Sequence, residues 1–290
     1  MFDPRLYASL SRIESNILEK QNLGELYQEN KDVGGLTIFI PNWNHRAFLP
    51  RSLRSALDAL GHLESEGFSA EIIVIDDASR DGSQKLLRTV QALYDEPRLK
   101  TLCLQQNLGL SRLRNLALKM SRFRYVCLMD ADNELVPSNL PLFLRSILET
   151  DATMVYGNLI DRQGRDVVGV RSNMPVTLHL IRTNYIDAFS IVDADRILKL
   201  GNYTRIHPYC PDDWEMNLHL IAEEESIVFV PAVFGYYHNL PLSGNQENVP
   251  FAQTANATLR RVYAQTGTRE WDSMQVGRIY HPDVGFMDEW

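Results

Sequence analysis

Short apolar runs alternate with longer amphipathic segments from Gly34 onward, and this alternation restricts the fold more than any other feature of the chain. The apolar runs cover residues 36–40, 71–75, 99–104 and 125–129, and the helical patterns between them cover 50–66, 83–94 and 111–121. Strands that alternate with helices predict βαβ units around a parallel sheet. The runs EIIVID and YVCLMD are apolar at nearly every position, as in strands that helices cover on both faces. The sequence therefore predicts a Rossmann-like α/β fold with a mostly parallel central sheet.

The composition excludes several classes of protein. Of the 290 residues, 44% are hydrophobic and 23% are charged, which is typical of a globular chain with a sizeable core. The formal charge of -8 comes from 29 Lys and Arg against 37 Asp and Glu, so we expect no nucleic-acid partner. The three cysteines are too few and too irregularly spaced for a disulfide framework or a zinc cluster.

The same residues bear on the compartment. Cys103 and Cys127 lie inside apolar runs, which favours reduced core thiols and a cytoplasmic location. No apolar stretch is long enough to cross a bilayer, and the first residues lack the basic-then-apolar pattern of a signal peptide. We therefore expect a cytoplasmic protein without a transmembrane segment, with peripheral attachment at the inner face of the membrane as a further option.

The two ends of the chain differ from its centre. Residues 1–33 carry apolar side chains at helical spacing, which predicts an amphipathic N-terminal helix that caps the domain or pairs with a second subunit. After residue 151 the pattern mixes strands at 153–160, 167–170 and 186–192, helices at 193–200 and 212–222, and a strand pair within 227–238. We divide the chain into the N-terminal helix (1–33), a main domain (34–240) that joins a nucleotide half (34–150) to a mixed-sheet acceptor half (151–240), and a C-terminal helix and arm (241–290). The terminal segments are also the predicted contacts of a homo-oligomer.

Polar residues follow each of the first four predicted strands. They are residues 41–44, 76–79, 107–109 and 130–133. Because open α/β sheets bind ligands beyond the carboxyl ends of their strands, these residues are expected to converge on one crevice. A carboxylate there accepts hydrogen bonds from the imide of a base or from ribose hydroxyls, so we assign Asp77 to the base and Asp76 to a supporting role. Asp81 and Ser83 are interpreted as caps of the following helix.

Asp130-Ala131-Asp132 supplies two carboxylates separated by one residue at the end of a strand. In an extended segment, side chains at that spacing lie on the same side, where both face one hard divalent ion that also holds a diphosphate. Mg²⁺ or Mn²⁺ suits an all-oxygen site and stabilises charge on a departing diphosphate. A D-x-D motif alone is a weak signal, but here it follows DDASRDGS and NLGLSRLRN in order.

Residues from about 36 to 238 resemble the family-2 inverting glycosyltransferases through the ordered segments TIFIPNWN, EIIVIDDASRDGS, NLGLSRLRNLAL, YVCLMDADNELVP and PDDWEMNLHL. The resemblance implies the GT-A fold and a nucleoside diphosphate sugar as donor, a UDP-sugar first and a dTDP- or GDP-sugar second. It implies donor contacts from Pro41, Asn44, Asp76, Asp77 and Asn107, an arginine near the donor at Arg112 or Arg114, the ribose or metal side at Asp130 and Ala131, a direct metal ligand at Asp132, and a further metal or diphosphate contact at His238.

The later acidic motif of this family is usually Glu-Asp, and here it reads Asp212-Asp213. The resemblance makes Asp213 the general base, because direct displacement needs a carboxylate that takes the proton of the acceptor hydroxyl. Asp212 and Trp214 are the weaker candidates for acceptor contacts. The alternatives stay open: the pair caps a helix after Pro211, Trp214 belongs to the core, and His238 is structural.

We therefore expect a metal-dependent inverting glycosyltransferase that acts on the hydroxyl of a glycan, glycoprotein or lipid-linked saccharide. The rival hypothesis is a catalytically silent nucleotide-sugar-binding or scaffold module of a glycosylation complex. A sugar-phosphate nucleotidyltransferase is a poor alternative, because its glycine-rich basic loop is absent from PNWNHRAF, the segment after the first strand.

Overall fold

The structure is a computed structural model that describes residues 26–28, 30–93, 96–176, 180, 183–204 and 211–240, together with the backbone of 277–281 and 285–289. The predicted N-terminal helix before residue 26 and the predicted helix after residue 240 lie outside the described residues. In the part of the chain that is described, no helix combines the length and apolar character that crossing a membrane demands.

The nucleotide half has the predicted alternation of strands and helices. Its elements are β1 (Asp32–Asn42), α1 (Leu49–Ser65), β2 (Ser69–Asp76), α2 (Ser83–Leu93), β3 (Leu99–Cys103), α3 (Leu110–Met120) and β4 (Phe123–Leu128). Strand β1 is central and pairs in parallel with β2 and β4, while β3 pairs in parallel with β2. All four carboxyl ends therefore point to the same edge of the sheet, which confirms the predicted convergence.

The acceptor half extends the sheet with mixed pairings. Its elements are β5 (Glu134–Leu135), a 3-10 turn (Pro137–Asn139), α4 (Leu140–Thr150), β6 (Met154–Gln163), β7 (Asp166–Arg171), β8 (Ser190–Asp193), α5 (Ala194–Leu200), α6 (Asp212–Ala222) and β9 (Ile227–His238). Strand β8 runs antiparallel to β4 and to β6, whereas β9 runs parallel to β6. The mixed sheet predicted for this half is confirmed. Strands β10 (Gly277–His281) and β11 (Gly285–Glu289) form a separate antiparallel hairpin.

Apolar side chains cover both faces of the large sheet. Because alternate residues of a strand point to opposite faces, Ile38 and Ile40 belong to one cluster and Phe39 belongs to the other. The first cluster includes residues of α1, α2 and α4, and the second includes residues of α3, α5 and α6. The domain is thus a three-layer arrangement that leaves the carboxyl edge of the sheet free for a site.

Four expectations about the elements were wrong. Strand β1 begins at Asp32, inside the segment assigned to the N-terminal helix, and helix α4 was not predicted. The predicted strand at 186–192 begins only at Ser190. The predicted strand pair within 227–238 is the single strand β9, whose register against β6 jumps from Val230 to Val233. Pro231 lies in that bulge, where its lack of an N–H group interrupts no hydrogen bond between β9 and β6.

Candidate active site

Asp76 organises the turn that follows β2. Its carboxylate accepts hydrogen bonds from Asn42 Nδ2 at 2.7 Å, from the backbone N–H of Ser79 at 2.9 Å and from Gln84 Nε2 at 3.0 Å. The side chain is fully buried. Because three donors already occupy its two oxygens, Asp76 fixes the loops around the crevice, and its supporting role in donor binding stays a prediction. Pro41 is buried in β1, in register with Ile75 of β2.

Asp77 joins the end of β2 to the loop before α3. Its Oδ1 accepts the backbone N–H of Leu108 at 2.7 Å, and its Oδ2 accepts that of Gly109 at 2.9 Å. Gly109 has a φ of 84°, a conformation that suits glycine, and it precedes the first turn of α3. Burial raises the pKa of Asp77, and the two backbone N–H groups oppose that rise. Each carboxylate oxygen retains a lone pair with which to accept a hydrogen bond from a ligand.

The loops after β1 and β2 are tied together by polar side chains. Asn44, at a φ of 57°, donates its backbone N–H to Ser79 Oγ at 2.9 Å and accepts the backbone N–H of Arg80 on Oδ1 at 2.8 Å. Asp81 accepts the backbone N–H groups of Ser83 and, on its other oxygen, of Arg46. This contact to Ser83 at the start of α2 confirms the capping role predicted for Asp81.

Exposed polar and aromatic side chains line this edge. Asn107 is exposed and donates from Nδ2 to the backbone carbonyl of Asp77 at 3.2 Å, and the exposed Arg112 donates to the carbonyl of Leu108 at 2.9 Å. Trp43 is 57% exposed at the end of β1. The sequence assigned no role to Trp43, since only the structure reveals that a large aromatic side chain is left uncovered there.

The D-x-D segment lies beyond the end of β4. The side chain of Asp130 is 36% exposed, whereas that of Ala131 is buried in the core. The predicted donor contact of Ala131 therefore stays a prediction for its backbone. Protein surrounds Asp130 and Asp132 closely enough that burial raises the pKa of both carboxyls. The charge of Asp132 raises the pKa of Asp130 further, while Arg114 opposes the rise.

His238 faces Glu134 in this structure. Its Nε2 lies 2.6 Å from Glu134 Oε1, and Arg51 Nε lies 3.3 Å from the same oxygen. Arg51 also donates from Nη2 to the backbone carbonyl of Asp132 at 2.6 Å. These contacts place His238 beside the D-x-D segment, held by an acid that the sequence did not single out.

Arg114 connects the two acidic motifs. Its Nη1 lies 2.7 Å from Asp212 Oδ1, and its Nη2 lies 3.9 Å from Asp130 Oδ1. The guanidinium also lies over the ring of Tyr203, 5.5 Å from its centroid, and the residue is 3% exposed. The backbone of Tyr203 is fixed in turn by two hydrogen bonds of 2.8 Å with the side chain of Asn115. Arg114 is therefore buried between the carboxylates, whereas Arg112 is exposed and contacts the loop before α3.

Asp213 lies in the first turn of α6. Its Oδ1 accepts the backbone N–H of Trp214 at 2.7 Å and Asn184 Nδ2 at 3.3 Å. Burial raises the pKa of Asp213 to about 7, the charge of Arg114 opposes the rise, and the charges of Asp212 and Asp187 add to it. A carboxyl with such a pKa releases and takes up protons near neutral pH, as a general base must.

Trp214 is part of the core. Its side chain is fully buried, and its indole N–H donates to the backbone carbonyl of Leu180 at 2.6 Å. The expectation that Trp214 contacts an acceptor was wrong, because α6 turns this residue toward the apolar cluster while Asp213 keeps partial exposure. The alternative that Trp214 is a core residue is confirmed.

The donor set at the D-x-D segment fits a divalent cation. The carboxylates of Asp130 and Asp132 are hard oxygen ligands. Burial is the main reason that their pKa is raised, neighbouring acids add to the rise, and Arg114 and Arg51 oppose it. Across the described ranges, no group of three or more His, Cys, Asp or Glu side chains is arranged to hold a metal ion by itself. One or two protein carboxylates completed by substrate phosphates are the usual ligands of Mg²⁺ in nucleotide sites.

Comparisons with known proteins agree with this geometry. The sequence profile described as Glycosyl transferase family 2 matches residues 37–202, which is more than half of the chain. The dolichyl-phosphate beta-glucosyltransferase of Dictyostelium discoideum is 30% identical over 174 residues, covering 53% of this chain and 53% of that protein. The succinoglycan biosynthesis protein ExoO of Rhizobium meliloti is 26% identical over 127 residues, covering 44% of this chain and 34% of that protein. The chain thus matches about half or less of the length of these relatives.

Solved structures share the fold at low sequence identity. S. aureus TarS 1-349 in complex with UDP-GlcNAc superposes with a TM-score of 0.62 at 17% identity, over 80% of this chain and 66% of that one. The mannosyltransferase PcManGT from Pyrobaculum calidifontis, in complex with GDP-Man and Mn²⁺, superposes with a TM-score of 0.54 at 14% identity, over 93% of this chain and 76% of that one. These likenesses establish the α/β fold as the GT-A fold. The chain belongs to glycosyltransferase family 2.

Proposed function

We propose that this glycosyltransferase moves a sugar from a nucleoside diphosphate sugar, a UDP-sugar first, to an acceptor hydroxyl with inversion at the anomeric carbon. The observation that carries the proposal is the position of Arg114, whose guanidinium contacts Asp130 of the D-x-D segment and Asp212 of the later acidic pair. Because Asp213 follows Asp212, these two ion pairs bring Asp213 near the carboxylates of the D-x-D segment. Inverting transfer requires the donor-side carboxylates and the general base on opposite sides of one sugar ring. The structures of TarS with UDP-GlcNAc and of PcManGT with GDP-Man support a nucleotide-sugar donor.

The nucleotide is expected at the tips of β1 and β2. Asp77 offers a lone pair on each oxygen to the imide of a base or to ribose hydroxyls. The exposed indole of Trp43 provides an apolar face on which a base stacks, and the exposed Arg112 provides a cation near the diphosphate. Asn44 joins the loops after β1 and β2 through its hydrogen bonds with Ser79 and Arg80.

The diphosphate and its cation are expected at the D-x-D segment. Asp132 and Asp130 would hold Mn²⁺ or Mg²⁺, which when bound stabilises the charge of the departing diphosphate. Arg51 fixes the backbone carbonyl of Asp132, and so limits how far this segment moves. His238 lies next to the segment and faces Glu134. A contact between His238 and the diphosphate stays a prediction, which requires the imidazole to exchange Glu134 for a phosphate oxygen.

Asp213 performs the proton transfer. With its pKa raised to about 7, its carboxylate accepts the proton of the acceptor hydroxyl as the oxygen of that hydroxyl attacks C1. The bond from C1 to the diphosphate oxygen breaks as the new glycosidic bond forms, so no covalent sugar-enzyme intermediate is required. Asn184 donates a hydrogen bond to the same carboxylate and orients it.

The acceptor is proposed to be a glycan, a glycoprotein or a lipid-linked saccharide. The names of two matched relatives support a lipid-linked or polysaccharide setting, since one is a dolichyl-phosphate beta-glucosyltransferase and another a succinoglycan biosynthesis protein. A cytoplasmic location, peripheral attachment to a membrane and association through the terminal segments remain part of the proposal. The scaffold alternative is disfavoured, because a silent module has no need for Asp130, Asp132 and Asp213 together.

The test is a donor screen in two readouts. Thermal shift with Mn²⁺ is measured for UDP-, dTDP- and GDP-sugars in parallel, followed by release of nucleoside diphosphate from each donor that binds. We expect one nucleotide class to raise the melting temperature, and its release to proceed only with intact Asp213. Binding of a donor without any release, even across a panel of acceptor sugars and lipid-linked saccharides, would instead favour the scaffold module. If none of the donors is bound, the proposed function is rejected.

A further inference from the structure

The segment of residues 183–189 leads into β8 beside the D-x-D segment, and it contacts the helix that carries the later acidic pair. Ser190 pairs with Leu128 at the carboxyl end of β4, and the pairing is antiparallel. Residues before Ser190 therefore run beside the residues that follow Leu128, which lead into the D-x-D segment. On the other side, the carbonyl of Ile186 accepts a hydrogen bond of 3.2 Å from Asn217 Nδ2, a side chain of helix α6. Helix α6 is also the helix that carries Asp213.

Asp187 is the carboxylate of this segment, and two hydrogen bonds fix its position. Its backbone N–H donates to Ser172 Oγ at 3.0 Å, and its Oδ1 accepts the backbone N–H of Phe189 at 3.0 Å. Its Oδ2 lies 3.8 Å from Arg171 Nη1, which is an ion pair too long for a hydrogen bond. The Oδ2 atom thus keeps its capacity to accept, in a side chain that is 16% exposed.

Arg171 is held mainly by other groups. Its Nε donates to Asp161 Oδ1 at 2.6 Å, and its Nη2 donates to Asn239 Oδ1 at 3.2 Å. Its guanidinium lies over the ring of Tyr237, 3.5 Å from the centroid. Since Asp161 already balances the charge of Arg171, Asp187 contributes a further negative charge to the space between the two motifs. Consistent with that, Asp187 raises the pKa of both Asp132 and Asp213.

We propose that Asp187 binds a hydroxyl group of the transferred sugar and thereby helps to select the donor. The inference rests on the proposed function: C1 must lie between the diphosphate at the D-x-D segment and the acceptor oxygen at Asp213, so the sugar ring occupies the space beside residues 183–189. An ionised carboxylate accepts hydrogen bonds only, and sugar hydroxyls are the donors that a hexose presents. A site that binds a hydroxyl strongly disfavours an analogue that lacks it.

The test compares Asp187→Ala and Asp187→Asn with the wild type, using Mn²⁺ with UDP, UDP-glucose, UDP-galactose and UDP-GlcNAc as probes. If a GDP-sugar is bound instead, GDP and GDP-mannose take their place. For Asp187→Ala we expect the affinity for the nucleotide diphosphate to change by less than about twofold. The affinity for the preferred sugar nucleotide should fall by about tenfold to a hundredfold, the usual range for a lost hydrogen bond to a charged group. Asp58→Asn, a change at an exposed acid of α1, is the matched control and should change neither.

Deoxy-sugar donors then identify the hydroxyl. For the wild type, one deoxy analogue should bind more weakly than the parent sugar nucleotide. For Asp187→Ala, the same analogue and the parent should bind equally well, because the substitution and the missing hydroxyl remove the same contact. A purely structural role would lower the affinity for UDP and for the UDP-sugar together, and that result would overturn the inference while leaving the proposed function intact. If Asp187→Ala fails to fold, Asp187→Asn carries the same comparison. Wild-type protein that binds no nucleotide would reject both proposals.

Discussion

Arg114 Nη1 lies 2.7 Å from Asp212 Oδ1, and this ion pair joins helix α3 to the first turn of helix α6 across 98 positions of sequence. Both side chains are buried, and the second amino group of Arg114 is 3.9 Å from Asp130. Oδ2 of Asp212 has no hydrogen-bond partner in the described part of the chain, so the ion pair of Arg114 with Oδ1 is the contact that balances this carboxylate. One buried cation therefore sets how the two acidic motifs lie relative to each other.

Replacing Arg114 by leucine should destabilise the fold strongly. The change leaves Asp212 buried without its partner, which typically costs about 3–5 kcal/mol in the free energy of unfolding. Urea denaturation measures this loss in the free energy of unfolding. Arg112→Ala is the matched control, because Arg112 is exposed, and its loss should cost under about 1 kcal/mol. The double variant Arg114→Leu/Asp212→Asn should recover part of the loss. Equal stability of the two arginine variants would contradict the bridging role.

Asp213→Asn should abolish transfer while donor binding persists. The amide keeps the size of the side chain but takes up no proton, and loss of general-base catalysis typically lowers the rate by about 10²–10⁴-fold. Turnover is measured as release of nucleoside diphosphate, and donor affinity is measured by titration in the presence of Mn²⁺. Asp58→Asn, on the exposed face of α1, should leave both unchanged. Normal turnover by Asp213→Asn would reject the assignment.

The rate of transfer should depend on pH through Asp213. Its pKa is raised to about 7, and the base acts only when ionised, so kcat/KM should fall about tenfold per unit as the pH drops below 7. A profile that stays flat from pH 8 to pH 5 would contradict this. Unfolding provides a second check. Because the folded pKa lies above the unfolded one, ionisation of Asp213 reduces stability as the pH rises from about 4 to 7. Relative to the wild type, Asp213→Asn should therefore gain stability over that interval.

Removal of divalent metal should stop the reaction. Burial and neighbouring acids raise the pKa of the Asp130 and Asp132 carboxyls. A bound cation would offset both effects by stabilising the charged form of each carboxylate. We expect excess EDTA to remove transfer and Mn²⁺ or Mg²⁺ to restore it. In Asp132→Ala, donor affinity should lose its dependence on Mn²⁺, as measured by titration with and without metal. Full activity in excess chelator would exclude the metal role.

Trp214→Phe should affect stability and not the acceptor. The change removes the indole N–H that donates to the buried carbonyl of Leu180, which typically costs about 1–3 kcal/mol. Trp214→Ala also leaves a cavity and should cost about 3–5 kcal/mol. Chemical denaturation measures both, and Trp43→Ala at an exposed position should change stability by under about 0.5 kcal/mol. A raised KM for acceptor with unchanged stability in Trp214→Phe would restore an acceptor role.

The nucleotide half could be predicted closely because its signals are local. Buried parallel strands are apolar on both faces, and the helices between them are amphipathic. The predicted ends of α1, α2 and α3 therefore agree with the structure to within one residue. The acceptor half was harder. Helix α4 is preceded by the turn at Pro137 and has Pro141 in its first turn, where proline favours the start of a helix. Strand β9 is one strand and not the predicted pair, because Pro231 lies in a bulge and does not end the strand.

The order of the motifs along the chain indicated the family, the candidate acids of the motifs and the edge of the sheet where they meet. The sequence left open which of those acids face the crevice, because that depends on contacts between residues far apart in the chain. Only the folded structure shows that the Asp76 carboxylate accepts hydrogen bonds from Asn42 and Gln84. It also shows that Arg114 is buried against Asp212 and that Trp214 lies in the core. It also brings Asp187, from a stretch without any motif, between the two acidic groups. Hydrogen bonding and burial set the role of each side chain, and both are properties of the tertiary arrangement.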